Sequence, residues 1–139
     1  MTQIDFALVR PPGTDFYTVA PCRALDSRLP DGAFGGLPLV AGEERELTLA
    51  GRCDIPASAK AVALNLTLTA ATTGGHVLLY PGATSRPQAS TINFRAGETR
   101  GNNAVVGLGP AGEIHLHYQQ ATESGGTVHV VIDVAGYFE

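Results

Sequence analysis

The stretch Thr127-Val128-His129-Val130-Val131-Ile132-Asp133-Val134-Ala135-Gly136-Tyr137-Phe138 decides how the rest of the chain is read. Val128, Val130, Ile132 and Val134 fall at every second position. A strand sends successive side chains to opposite faces, so these β-branched residues form one apolar stripe fitted to a sheet core. The opposite face carries His129, Val131 and Asp133. Working back, Ala61 to Thr69 repeats the pattern, with Val62, Leu64, Leu66 and Leu68 against Ala63, Asn65, Thr67 and Thr69. Shorter strand candidates are Phe16–Val19, Glu46–Leu49, His76–Tyr80, Thr91–Phe94, Asn103–Leu108 and Glu113–Tyr118. Breakers separate them: Leu29-Pro30-Asp31-Gly32, Thr73-Gly74-Gly75, Pro81-Gly82 and Gly109-Pro110-Ala111-Gly112. Ser27 to Gly42 reads as a long irregular loop and Gln119 to Gly126 as a polar one.

No window offers an i, i+3, i+4 apolar pattern long enough for a helix. The spacing predicts an all-β fold, a single jelly-roll-like β-sandwich of about eight to ten short, mostly antiparallel strands. That domain spans residues 16–139, behind an extended N-terminal arm over residues 1–15 containing Ile4, Phe6, Leu8 and Val9.

A length of 139 residues suits one domain, and 44% hydrophobic residues exclude wholesale disorder. Gly (17) and Pro (9) are frequent, as many tight turns require. The net charge of −4 is spread along the chain with no basic block, which disfavours nucleic acid and anionic membrane surfaces as partners. No apolar run approaches a membrane span, so no membrane insertion is expected. Cys22 and Cys53 belong to no C-x-x-C pair, and zinc would need two further ligands. A disulfide and two buried free thiols both fit. The adjoining turn-like segments Pro21-Cys22 and Cys53-Asp54-Ile55-Pro56 favour the disulfide, which would point to an oxidising compartment. Met1-Thr2-Gln3-Ile4-Asp5 carries neither a basic n-region nor an apolar h-region, which fits a signal already removed, a module of a longer exported chain, or non-classical secretion, the first two being favoured.

Taken as a set, several motifs carry a resemblance. They are Phe16-Tyr17-Thr18-Val19-Ala20-Pro21-Cys22-Arg23-Ala24-Leu25-Asp26-Ser27-Arg28, Cys53-Asp54-Ile55-Pro56 through Asn65-Leu66-Thr67, and Leu79-Tyr80-Pro81-Gly82. Ser90-Thr91-Ile92-Asn93-Phe94 with Ala96-Gly97-Glu98-Thr99-Arg100, and His129 through Phe138, complete it. Over residues 16–138 the chain resembles a repeat-like module of exported proteins in actinobacteria, myxobacteria and related soil bacteria. The resemblance implies an exported, all-β, non-enzymatic module, often joined to hydrolases or peptidases and without an agreed ligand. The cysteine spacing fits that family, which implies the Cys22–Cys53 disulfide.

Two constellations are candidates for chemistry. If Glu113–Tyr118 and the final strand form a hairpin with matched faces, His115, His117 and His129 gather on one patch, with Glu113 or Asp133 near. Three imidazoles and a carboxylate suffice for zinc, copper or nickel. The competing reading is a polar sheet face without metal, and no cofactor is expected. Arg23, Asp26 and Arg28 suggest a bidentate ion pair that pins the long loop, and one of these arginines is the candidate partner of Asp133. The serines lack a Gly-x-Ser-x-Gly elbow, so the chain is not expected to be an enzyme.

The reading that follows is a non-catalytic, secreted or cell-surface module for binding or adhesion. Polysaccharide or cell-wall glycan is its first ligand class, because Tyr17, Tyr80, Tyr118 and Tyr137 can stack on sugar rings. The alternative is a self-assembling structural subunit, a homo-oligomer such as a trimeric cap, fibre or layer component, using the N-terminal arm.

Overall fold

The computed structural model describes residues 13–121 and 125–139, so most of the expected arm and part of the Gln119–Gly126 loop lie outside the described residues. The strands are β1 (Phe16–Asp26), β2 (Leu39–Val40), β3 (Glu44–Thr48), β4 (Ala61–Thr69), β5 (Gly75–Pro81), β6 (Ile92–Phe94), β7 (Arg100–Gly107), β8 (Glu113–Gln120) and β9 (Thr127–Phe138). One sheet has the order β1-β9-β4-β7, with β2 added to β9, and the other has the order β3-β8-β5-β6. All pairings are antiparallel. Apart from β2, eight strands alternate between the sheets everywhere except at the β5–β6 hairpin. This is the order of a jelly roll, two Greek keys closed face to face.

The alternation in the sequence sets the burial. Val62, Leu64, Leu66 and Leu68 of β4 and Val128, Val130, Ile132 and Val134 of β9 face Ile114, Leu116 and Tyr118 of β8 across one continuous core. Val62, Leu66, Val130 and Ile132 are fully buried. Each such side chain contributes about 1.5–3 kcal/mol. The Tyr118 hydroxyl is satisfied inside the core, donating to the Thr73 carbonyl at 2.8 Å and meeting Thr73 Oγ1 at 2.6 Å.

Two expectations change. The first strand runs past Val19 to Asp26, through Pro21 and Cys22, because register shifts between Thr18 and Cys22 and between Arg23 and Leu25 let an irregular strand stay paired to β9. Proline is tolerated because β1 is a sheet edge. The second change concerns the histidines. β8 pairs β3 and β5, whereas β9 pairs β1, β2 and β4, so the two strands cross between sheets instead of forming a hairpin. His115 and His117 therefore lie on the outer face of one sheet and His129 on that of the other, and these three cannot share a metal. Alternation is identical for a hairpin and for a crossing, so the sequence pattern did not distinguish them. Among the described residues no group of three or more His, Cys, Asp or Glu is arranged to hold a metal ion.

Candidate functional site

The motif around Cys22 is a staple. Cys22 and Cys53 are joined by a disulfide, fixing β1 to the turn before β4. Cys53 and Asp54 in that turn have φ of 53° and 60°, a conformation that costs an L-residue roughly 1 kcal/mol. Backbone bonds from Gly51 to Ile55, Arg52 to Leu49 and Ile55 to Arg52 hold it.

One residue beyond the disulfide, Arg23 stands opposite Asp133 in the β1–β9 register. It donates from Nε to Oδ1 at 2.9 Å and from Nη2 to Oδ2 at 3.2 Å, joining the first motif to the last. Asp26 is the buried hub. It accepts from the Arg28 backbone N–H at 3.0 Å, from Arg28 Nε at 2.9 Å and from Arg28 Nη2 at 2.8 Å, with Arg23 Nη1 at 3.5 Å. The Arg28 hydrogen bonds lead in drawing its carboxyl down from the ordinary 3.8 to about 2, against the opposing effect of burial.

Sequence reading missed Ser27, the next residue. Its buried hydroxyl accepts the Val130 N–H at 2.8 Å and meets His129 Nδ1 at 3.0 Å. A lone serine before a loop gave no signal of this. The loop itself is held by arginines. Arg45 binds Glu43 and the carbonyls of Leu37 and Pro38, and Arg52 binds those of Ala24 and Ala33 with its guanidinium 5.2 Å from the Phe34 ring centre.

The outer face of the β3-β8-β5-β6 sheet holds His76, His115 and His117. His115 lies 3.2 Å from Glu46 and 3.6 Å from Glu44. His117 is buried, and its Nδ1 is 3.1 Å from both Arg86 Nη1 and the Glu43 carbonyl. Tyr80 and Tyr118 are buried too, so they offer no surface for a sugar ring. Tyr17 and Tyr137 stack on each other with centroids 5.4 Å apart. The four tyrosines do not form a platform.

The outer face of the other sheet is different in kind. Between β4, β7 and β9 it forms a shallow cleft of about 520 Å³, lined by Pro21, Ala63, Val105 and Ala135 with Asn65 and Asp133 at its side. Val105 is 65% exposed. At one end Phe16 packs on Phe138 with centroids 4.9 Å apart, its ring lying over Gly136, where a Cβ would collide with it. Asp15 and Glu139 exchange backbone hydrogen bonds at 2.9 and 3.0 Å, which continues the β1–β9 pairing by one residue.

No family model matches the chain, and no curated protein matches it. Among solved structures it is similar to the coat protein of Tobacco streak virus in a C2 crystal form, at 12% identity and a TM-score of 0.46 over 94% of this chain and 90% of that one. A structure of the coat protein dimer from the same virus gives 10% identity and a TM-score of 0.41, over 91% and 89%.

Proposed function

We propose that the chain is a non-catalytic structural subunit that assembles with copies of itself in an oxidising compartment, secreted or at a cell surface. In this reading Ile4-Asp5-Phe6-Ala7-Leu8-Val9 of one copy adds a strand to β7 of the next, and alternate side chains settle into the cleft beside Val105. The carrying observation is the state of the four sheet edges. β1 is broken by Pro21 and two register shifts. β3 is short and carries Glu44, Arg45 and Glu46, and β6 has three residues. These are the devices by which edges resist pairing. β7 has eight residues in unbroken register with β4 and no proline or lysine. Its first part is tied to β6, since Arg100 and Asn102 donate to the carbonyls of Asn93 and Thr91. Among the described residues no strand pairs with Asn103 to Gly107, an edge beside a cleft whose one charged lining residue, Asp133, is neutralised by Arg23.

The disulfide supports the compartment. Four carboxylates support a structural role through the partners they hold. Asp26, Asp133 and Glu43 each hold an arginine, and Glu113 accepts the Ala111 N–H at 2.7 Å.

The test is the mass of the full chain in solution, of the chain lacking residues 1–12, and of Val105→Lys. An oligomer is expected for the first and monomers for the other two. A full chain that stays monomeric at micromolar concentration, or an oligomer indifferent to both changes, would overturn the proposal.

A further inference from the structure

The outer face of the β3-β8-β5-β6 sheet holds a second cavity, of about 470 Å³, walled by residues 86–90 of the segment that links β5 to β6. We propose that it binds a small ligand bearing an oxyanion, with Arg86, His76 and His117 supplying positive charge and Ser90, Asn93 and Gln119 the neutral donors. This is independent of self-assembly, which uses the other sheet.

Four observations carry it. The lining holds one arginine and two histidines but no carboxylate, in a chain of net charge −4. Arg23, Arg28, Arg45 and Arg100 each lie within 4 Å of a carboxylate, whereas among the described residues Arg52, Arg86 and Arg95 meet none; Arg52 is satisfied by the Ala24 and Ala33 carbonyls, and of the other two Arg86 lines the cavity. Its nearest polar partner is His117 Nδ1, 3.1 Å away, which is equally far from the Glu43 carbonyl. That nitrogen can accept from Arg86 or donate to Glu43, but not both. When Nδ1 carries a proton it donates to the Glu43 carbonyl, and the guanidinium is left facing an open cavity, where an oxyanion is the matching acceptor. Finally, buried Leu78 and the Pro87 ring line the same cavity, so there is apolar surface for a carbon skeleton beside the charge.

The neighbouring acids do not compete for these cations. Glu43 holds Arg45 at 2.7 Å, Glu44 and Glu46 flank His115, and Glu98 lies 3.9 Å from Arg100. Glu44 is the cross-strand partner of His117, yet its carboxylate is turned to His115. His76 is held below its ordinary pKa of 6.5, first by burial and then by the charge of His117. An anion between the two imidazoles would relieve that repulsion, so binding should tighten as pH falls through the histidine range.

The experiment titrates the full chain, labelled at histidine, with sulfate, phosphate or glucuronate against chloride at matched ionic strength, near pH 6 and pH 8. Saturable imidazole shifts are expected at His76 and His117, with His129 unmoved and the tighter binding near pH 6. Arg86→Gln should weaken binding at least about tenfold. Asn93→Ala, also at an exposed position, serves as the second variant if Arg86→Gln fails to fold. Glucuronate binding more tightly than sulfate or phosphate would identify a carbon-bearing acid, and the reverse order a sulfate or phosphate group. No saturation with any of the three, equal shifts at His129, or full affinity in whichever variant folds would overturn the proposal.

Discussion

The two outer faces of this sandwich are built from the same alternation and have opposite characters. On the β1-β9-β4-β7 sheet the outward positions are small or neutral, as at Ala63, Asn65, Thr67, Val105 and Val131. Its ionic groups are gathered at one margin, where Arg23, Asp26, Arg28 and Asp133 neutralise one another. On the β3-β8-β5-β6 sheet the outward positions are His76, His115, His117, Glu44 and Glu46, and residues 86–90 wall the cavity that His76 and His117 line. A face with a fixed set of paired charges can offer a neutral surface to another chain at any pH near neutrality. A face of imidazoles beside an arginine responds to protons and anions. The first suits the proposed assembly and the second the proposed oxyanion.

The contrast is most severely tested at the staple. Replacing both cysteines by alanine should remove about 3–4 kcal/mol, because the bond closes a loop of sequence separation 31 in the unfolded chain. Denaturant unfolding measures this directly. A loss well below 1 kcal/mol would mean that β1 is held by its hydrogen bonds and ion pairs alone.

Next in size is Asp26→Ala, expected to cost about 2 kcal/mol at neutral pH. It leaves Arg28 without its bidentate partner and removes the carboxylate that anchors the turn. The depressed carboxyl fixes the sign of the pH dependence. The stabilisation is fully present above pH 3.8 and is lost as pH falls from there through about 2. Wild type and variant should therefore converge in stability at the acid end. A difference that persists unchanged there would assign the effect to packing instead.

Asp133→Asn should cost less, about 0.5–1 kcal/mol, since Arg23 and Asp133 are partly exposed. A melting temperature identical to wild type would show that the pair contributes orientation without stability.

Legibility divided along the same line. Ala61–Thr69 and Thr127–Phe138 are strands with the bounds their alternation predicts, because each is central in its sheet and buried on one full face. The Arg23–Asp26–Arg28–Asp133 set was readable because opposite charges near a turn have few other partners. β1 runs longer than its alternation predicts, since proline and two irregular registers hide a strand from any test of period two. The histidine patch was misassembled for a different reason. Period two reports which side chains share a face of one strand, but which strands share a sheet is decided by long-range pairing, and here β8 and β9 part company. His76 and Arg86 joined His117 only through that pairing and a loop, so no local spacing announced them.

The smallest effect is expected at His76, and it bears most directly on the second face. Its pKa lies below 6.5 because the fold favours the neutral ring, so the unfolded chain takes up a proton first as pH falls. Stability from this group is complete above pH 6.5 and declines below it, through the lower folded value. Changing His76 to Gln should flatten the slope of unfolding free energy against pH in that window while leaving the slope near pH 3 untouched, because the latter belongs to Asp26 on the other sheet. Sulfate should flatten the wild-type slope in the same way, by supplying the counter-charge that the cavity lacks. A slope unaltered by His76→Gln would show that the ring is solvated and that the second face does not sense protons through it.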